Sequence, residues 1–350
     1  MASSFGCCCS PCRPAYKRHV DAIYPAQAED GLVKIKMESL LYFAMTSPEK
    51  LDRIGEYLAY RISRDVNRGR KEFVFIGVEA MDQLLQSACH VRTLNLFVES
   101  FLKTIQKLLE SPDPDLQILA SASFLRFSKL EEETPSYHRS YDFFISRFAQ
   151  MCLSNHNDIE GTRKRLRISG LEGLYGVIRK TVNEDLAENI WEAKHMDKIV
   201  ASLLFNLNVN EMGISMEGEI AAPIGRGTPD PLGNGKTITA SDKADQILRD
   251  LVTCASTISD IKAILGPVLR HMDDHRVWVQ NTHGAVYTFT AIMYSVQTDL
   301  SYVVIEQMLS HLEAIQTVPG KSMVSDVLAR IIGIGKPNLI AIKKFYCFFM

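Results

Sequence analysis

A helical period runs almost without interruption from residue 32 onward, and it limits what this chain can fold into. Leu51, Ile54, Leu58 and Ile62 recur at helical steps, as do Leu94, Phe97, Val98, Phe101, Leu102, Ile105, Leu108 and Leu109. Later stripes run through Ile261, Ile264, Leu265, Val268, Leu269 and Met272, and through Val304, Ile305, Met308, Leu309 and Leu312. Such spacing gathers apolar side chains on one face of a helix. No segment shows a convincing strand alternation. The pattern predicts an all-α chain whose helices each need a neighbour to cover the apolar face.

The breaks between the stripes are short. Ser47-Pro48 is expected to open a helix with a cap and a first-turn proline. Ser111-Pro112-Asp113-Pro114-Asp115 is expected to close one helix and cap the next, and Thr134-Pro135-Ser136 to do the same. The stretch Leu109 to Gln117 is similar to the turn and second-helix start of a HEAT or armadillo repeat. Weaker echoes follow at Ser154-Asn155-His156-Asn157-Asp158 and at Met272-Asp273-Asp274-His275. The interval from Pro114 to Asn157 falls inside the roughly 40–47-residue period of such repeats. The predicted architecture is therefore armadillo/HEAT-like: stacked helical hairpins forming an elongated rod over residues 32–344. A cysteine-rich, basic segment (1–31) precedes it and an atypical end (345–350) follows. Within the rod, residues 211–241 hold Gly213, Gly218, Pro223, Gly225, Gly227, Pro229, Pro231, Gly233 and Gly235, too many breakers for a helix, and read as a long mobile loop.

Charge and composition exclude several classes. Lys+Arg number 39 against Asp+Glu 41, a net charge of -2, which argues against nucleic-acid binding. At 46% hydrophobic and 23% charged, the chain is not of disordered composition. No run of about 18 apolar residues is present, and the N-terminus lacks the apolar core of a signal peptide, so the chain is expected to start in the cytosol.

Cysteine usage is lopsided. Cys7, Cys8, Cys9 and Cys12 crowd the N-terminus, whereas Cys89, Cys152, Cys254 and Cys347 are scattered. A disulfide framework would spread its cysteines. A zinc site would need a second ligand pair, and the nearest histidine is His19 alone. A redox Cys-x-x-Cys would follow a strand, and nothing strand-like precedes it. The remaining reading is S-palmitoylation of Cys7, Cys8, Cys9 and Cys12 beside basic residues. Ala2 excludes N-myristoylation. The basic flank comprises Arg13, Lys17 and Arg18, then Arg61, Arg64, Arg68, Arg70 and Lys71, with only Asp65 interrupting the second group. Anionic lipid attracts such residues, while a solvated helix face is the alternative reading. For Arg163, Lys164, Arg165 and Arg167 the solvated face is the better reading.

Catalytic and metal patterns fail on inspection. Asp230 to Thr237 ends like a phosphate-binding loop, but Asp230 occupies the place of its first glycine. His271 and His275 are spaced i, i+4, yet Met272 and Asp274 stand where a zincin or its inverse needs Glu. Gly213-Ile214-Ser215 resembles a nucleophile elbow, but Glu217 replaces the closing glycine. Gly170, Gly173 and Gly176 step by three and point to close helix packing. No cofactor, metal or catalytic residue is expected.

Several blocks resemble the Rolling blackout (eighty-five-requiring-three) family. They are Cys7-Cys8-Cys9-Ser10, Arg13-Pro14-Ala15-Tyr16-Lys17-Arg18 and Asp30-Gly31-Leu32-Val33-Lys34, then Pro48 to Gly55, Phe97 to Leu102 and Thr134 to Arg139. Ile178 to Asn183 and His195 to Val200 continue the match, which reaches roughly Gly333. The resemblance implies an armadillo-like rod, palmitoylated at Cys7, Cys8, Cys9 and Cys12 and held on acidic lipid at the cytoplasmic face of the plasma membrane. It implies a non-enzymatic anchor for the type III alpha phosphatidylinositol 4-kinase, working through a tetratricopeptide-rich scaffold subunit. Members of that family continue past residue 350 with a segment that docks the scaffold subunit. The abrupt Phe345-Tyr346-Cys347-Phe348-Phe349-Met350 therefore reads as the end of a truncated form. Two other readings stay open here: a lipase in signalling-lipid turnover, and a soluble helical adaptor without lipidation.

Overall fold

The computed structural model describes residues 13–87, 94–130, 141–154, 161–182, 190–207, 238–315 and 318–334. Among them there are helices and no strands. In chain order they are α1 (Ala15–Ala22), α2 (Lys34–Thr46), α3 (Leu51–Asn67), α4 (Lys71–Ser87), α5 (Leu94–Leu109), α6 (Pro114–Phe127), α7 (Tyr141–Cys152) and α8 (Thr162–Val182). There follow α9 (Ala193–Asn206), α10 (Ala240–Cys254), α11 (Ile258–Asp274), α12 (Val277–Gln280), α13 (Thr282–Ser295), α14 (Ser301–Ala314) and α15 (Val318–Ile334). The chain gathers into two units, one of residues 1–143 with 183–187 and one of 144–182 with 188–350.

The N-terminal unit is three stacked hairpins. Helices α1, α3 and α5 pack in one layer, and α2, α4 and α6 in the other. The stripes predicted for α3 and α5 are the buried ones, from Leu51 to Ile62 and from Leu94 to Leu109. Four side-chain contacts between successive hairpins each join residues 44 apart: Arg13 with Tyr57, Ser63 with Lys107, Lys71 with Asp115, and Asp82 with Arg126. One separation recurring in both layers is what a solenoid of near-identical steps produces. The Asp82 carboxylate is buried. It accepts from Ser123 Oγ and, at 2.9 Å and 2.6 Å, from Arg126 Nε and Nη2.

The expected cap at α6 is present: Asp113 accepts from the backbone N–H of Asp115, and Pro114 sits in the first turn. Ser47 does not cap with its side chain. Pro48–Lys50 forms a 3₁₀ turn that feeds directly into α3. Helix α1 lies before the residue where the sequence period becomes obvious. Its apolar contribution is short, Val20 with Ile23 and Tyr24 just beyond it, all buried. Thr134-Pro135-Ser136, the echo at Asn155–Asp158 and residues 211–237 lie outside the described residues.

In the C-terminal unit α8 packs on α10, α9 on α11, α10 on α13 and α11 on α14. Contacts between successive hairpins there span 38 residues from Asp273 to His311 and 42 from Thr253 to Ser295. The equivalent contact from Asp197 to Arg270 spans 73. The 211–241 stretch lies between those two residues in the sequence.

His271 stands in the last turn of α11, and its ring centroid lies 4.3 Å from that of His275. Burial and then the His275 charge push His271 down from 6.5 to about 4. The unfolded chain therefore binds this proton more readily than the folded one. The contribution of His271 to stability should be constant above about pH 6.5 and fall as pH drops towards about 4. Urea midpoints followed by tryptophan fluorescence should show this slope, and His271→Asn should flatten it. Equal slopes in the two proteins would exclude His271 as its source.

Candidate membrane-facing site

Cys7, Cys8, Cys9 and Cys12 lie outside the described residues, but the residue after Cys12 is fixed. Arg13 pairs with Asp21 at 2.6 Å and donates to the Tyr57 hydroxyl of α3. The chain then enters α1, which lies against both α2 and α3. One edge of α1 meets α3: Asp21 accepts from Tyr57 at 3.1 Å, and the Lys17 ammonium sits 5.2 Å from the Tyr57 ring centroid. The other edge meets α2, where His19 stacks on Phe43 at 4.7 Å and approaches Ser39 Oγ at 3.4 Å. Arg18 falls on the ridge between those edges and is exposed.

The structure separates the predicted cations by what they do. Arg61 is an internal strut: only 13% of its side chain is exposed, it pairs with Asp21, and its guanidinium lies 3.7 Å from the centre of the Tyr24 ring. Arg64 is one-third exposed and leans 3.7 Å from the buried Asp65. Lys71 bridges Asp113 at 2.8 Å and Asp115 at 2.9 Å, and those hydrogen bonds raise its affinity for its proton. Arg18, Arg68 and Arg70 are exposed, and none has an ion partner among the described residues. Arg68 ends α3, and Gly69, at φ 66°, turns the chain towards α4, so Arg68 and Arg70 stand on a tight corner. Arg61, Arg64 and Arg68 therefore do not form one free face.

Charge also shapes the aromatic groups here. Burial, followed by the nearby Asp21 carboxylate, pushes Tyr57 above the usual phenol value. Burial, then the Arg18 and Lys36 cations, hold His19 below the usual imidazole value. Sequence reasoning missed Asp21 and Tyr57. A carboxylate four residues after Lys17 and a tyrosine four before Arg61 are weak signals, because what joins them is the stacking of the hairpins.

The arrangement can attract anionic groups and can be tethered close to them. A hollow of ≈ 510 Å³ opens beside the corner, lined by Arg70, Lys71, Lys107, Glu110 and Asp113. Lys71 and Lys107 are already held there by Asp113 and Ser63. No group of three or more metal-ligating side chains is found among the described residues, and no described helix is long and apolar enough to cross a membrane. Ser215 and the Asp230–Thr237 stretch lie outside the described residues. The basic run of α8 is exposed at Arg163, Lys164 and Arg165. Arg167 instead donates to the Ser154 carbonyl at 3.0 Å and lies 5.0 Å from the Phe205 ring centroid.

A family model described as the EFR3 armadillo repeat matches residues 37–348. Protein EFR3 homolog cmp44E of Drosophila melanogaster is 50% identical over 309 residues, covering 87% of this chain and 36% of that protein. Human protein EFR3 homolog B is 50% identical over 307 residues, covering 88% and 36%. The Caenorhabditis elegans EFR3 homolog is 44% identical over 343 residues, covering 95% and 40%. The chain thus spans well under half the length of these curated relatives. A solved structure described as the crystal structure of Efr3 superposes with a TM-score of 0.62 at 15% identity, covering 90% of this chain and 56% of that one. At that identity the likeness bears on the fold alone.

Proposed function

The chain belongs to the EFR3 family, an armadillo-repeat helical scaffold, and from that premise we propose that it is a lipid-anchored, non-enzymatic membrane scaffold. Palmitoyl groups on Cys7, Cys8, Cys9 and Cys12 hold it at the cytoplasmic face of the plasma membrane. Exposed cations add attraction to acidic phospholipid. The bound scaffold recruits the type III alpha phosphatidylinositol 4-kinase through a tetratricopeptide-rich subunit, and so supports phosphatidylinositol 4-phosphate synthesis. The observation that carries the membrane half is the docking of α1. The helix that follows the cysteines directly is pinned to the body by Arg13, Lys17 and Asp21, with Arg18 left outward. A tether of one residue, about 3.6 Å, keeps that body within the Debye length of about 8 Å at physiological salt.

The test uses unacylated chain and vesicles containing phosphatidylserine. Arg18, Arg68 and Arg70 changed together to Glu should weaken binding about a hundredfold at low salt, at about 1 kcal/mol per basic residue. The difference should vanish at about 1 M salt, where the Debye length is about 3 Å. Arg61 is left intact, because reversing it would break its pair with Asp21 inside the fold. Unchanged binding of the triple variant would remove the cations from the reading. Copurification of the kinase and its scaffold subunit with the acylated chain from membranes tests the partner half.

A further inference from the structure

Helix α2 is apolar on two sides. Its inner side, Met37, Leu40 and Ala44, is buried against its neighbours. Its outer side carries Ile35 at 76% exposure, Tyr42 at 72% and Met45 at 48%. Ile35 and Tyr42 are seven residues apart and so share a face, with Ser39 between them. A helix that is apolar all round is ordinarily covered all round. This one has a cover on one side only.

The surroundings of the bare side are cationic. Lys34 and Lys36 flank Ile35, each about 100° around the helix from it. Lys36 and Arg18 of α1 both bear on His19 at the edge of the same surface. Lys34, Lys36 and Arg18 are exposed and have no ion partner among the described residues. Glu38, three residues after Ile35 and four before Tyr42, is the one acidic residue of α2; it is exposed on this same face, and the three cations outnumber it. Long basic side chains can reach outward past an apolar ridge to the headgroups while the ridge sinks below them. Tyrosine suits that depth, with an apolar ring and a polar tip.

We propose that Ile35, Tyr42 and Met45 insert into the interface of an anionic phospholipid bilayer, with Lys34, Lys36 and Arg18 on the headgroups. The inference rests on the membrane reading above and adds apolar insertion to acylation and surface charge. An occupant with an acidic surface and an apolar layer a few ångströms beneath fits both the ridge and its cationic rim.

Tyr42→Trp in the unacylated chain reports insertion, read as the difference from the parent, whose Trp191 and Trp278 both lie in the other unit. With phosphatidylserine vesicles its emission should shift to the blue, and lipids brominated near the glycerol should quench it. The double variant Ile35→Ser/Tyr42→Ser should bind those vesicles about tenfold more weakly, and about 1 M salt should not erase that loss. Both positions are exposed, so the fold should be intact by circular dichroism. Parent binding with no quenching, and a double variant that binds equally well, would overturn insertion while leaving the charge reading standing. A parent that ignores anionic vesicles would overturn both. Sedimentation showing a dimer that the double variant loses, again without quenching, would assign the face to a second copy of the chain instead.

Discussion

Changing Cys7, Cys8 and Cys9 together to Ser should move most of the chain from the plasma membrane to the cytosol, and adding Cys12→Ser should complete the shift. Single changes should do little. Each buried methylene contributes about 0.8 kcal/mol, yet one acyl chain gives only reversible binding with a constant near 10⁴ M⁻¹, so firm anchoring needs a second signal. With any one cysteine lost, two or more chains remain. With three lost, Cys12 and the exposed cations are what is left. The geometry sharpens the expectation. Cys7 lies six residues before Arg13, which is fixed to Asp21. Even fully extended, that linker spans only about 20 Å. Acyl chains on these cysteines would therefore act on the same patch of bilayer as the cationic surface. Imaging and fractionation, with hydroxylamine to cleave thioesters in the parent, check this. A quadruple variant that stays with the membrane would show that acylation is not the anchor.

The helices were legible because burial leaves a periodic trace. The stripes of α3, α5 and α11 could be read residue by residue, and Asp113 with Pro114 marked a real helix start. Helix α1 was not legible as an element, since eight residues with one buried side chain make no period. The cations were legible as a set but not by role. Whether an arginine faces lipid depends on carboxylates one repeat away: Arg61 meets Asp21 across 40 residues, and Lys71 meets Asp115 across 44. A charge run carries no information about such partners. The outward ridge of α2 was hidden for a related reason. Ile35 and Tyr42 look like core residues in sequence, and only the packing of Met37 and Leu40 shows that the core lies on the opposite side.

Gly170→Ala with Gly173→Ala should destabilise the C-terminal unit, although the same change in most helices stabilises. Glycine in a helix interior is disfavoured against alanine by about 1 kcal/mol, so propensity alone predicts a gain of about 2 kcal/mol for the pair. Packing opposes it. A Cβ at Gly173 would lie 2.3 Å to 2.5 Å from three ring carbons of Phe148. That ring is fully buried. A Cβ at Gly170 would stand 2.7 Å from the backbone nitrogen of Cys152 and 2.8 Å from the carbonyl oxygen of Phe148. Carbon contacts are comfortable at about 3.5–4.0 Å, so α8 would have to withdraw from α7 along its length. Overpacking costs about 1–3 kcal/mol at a site that can relax, and more where the obstacle is backbone. The clash should therefore exceed the propensity gain and leave a net loss of about 2–3 kcal/mol. Both sites press on Phe148, so the double variant should cost less than the sum of the singles. For a unit of this size the melting temperature should fall by about 5–10 °C. Calorimetry of the full chain reads it directly. A double variant that melts at or above the parent would mean that α8 does not approach α7 closely, and that the three-residue glycine step has no packing role.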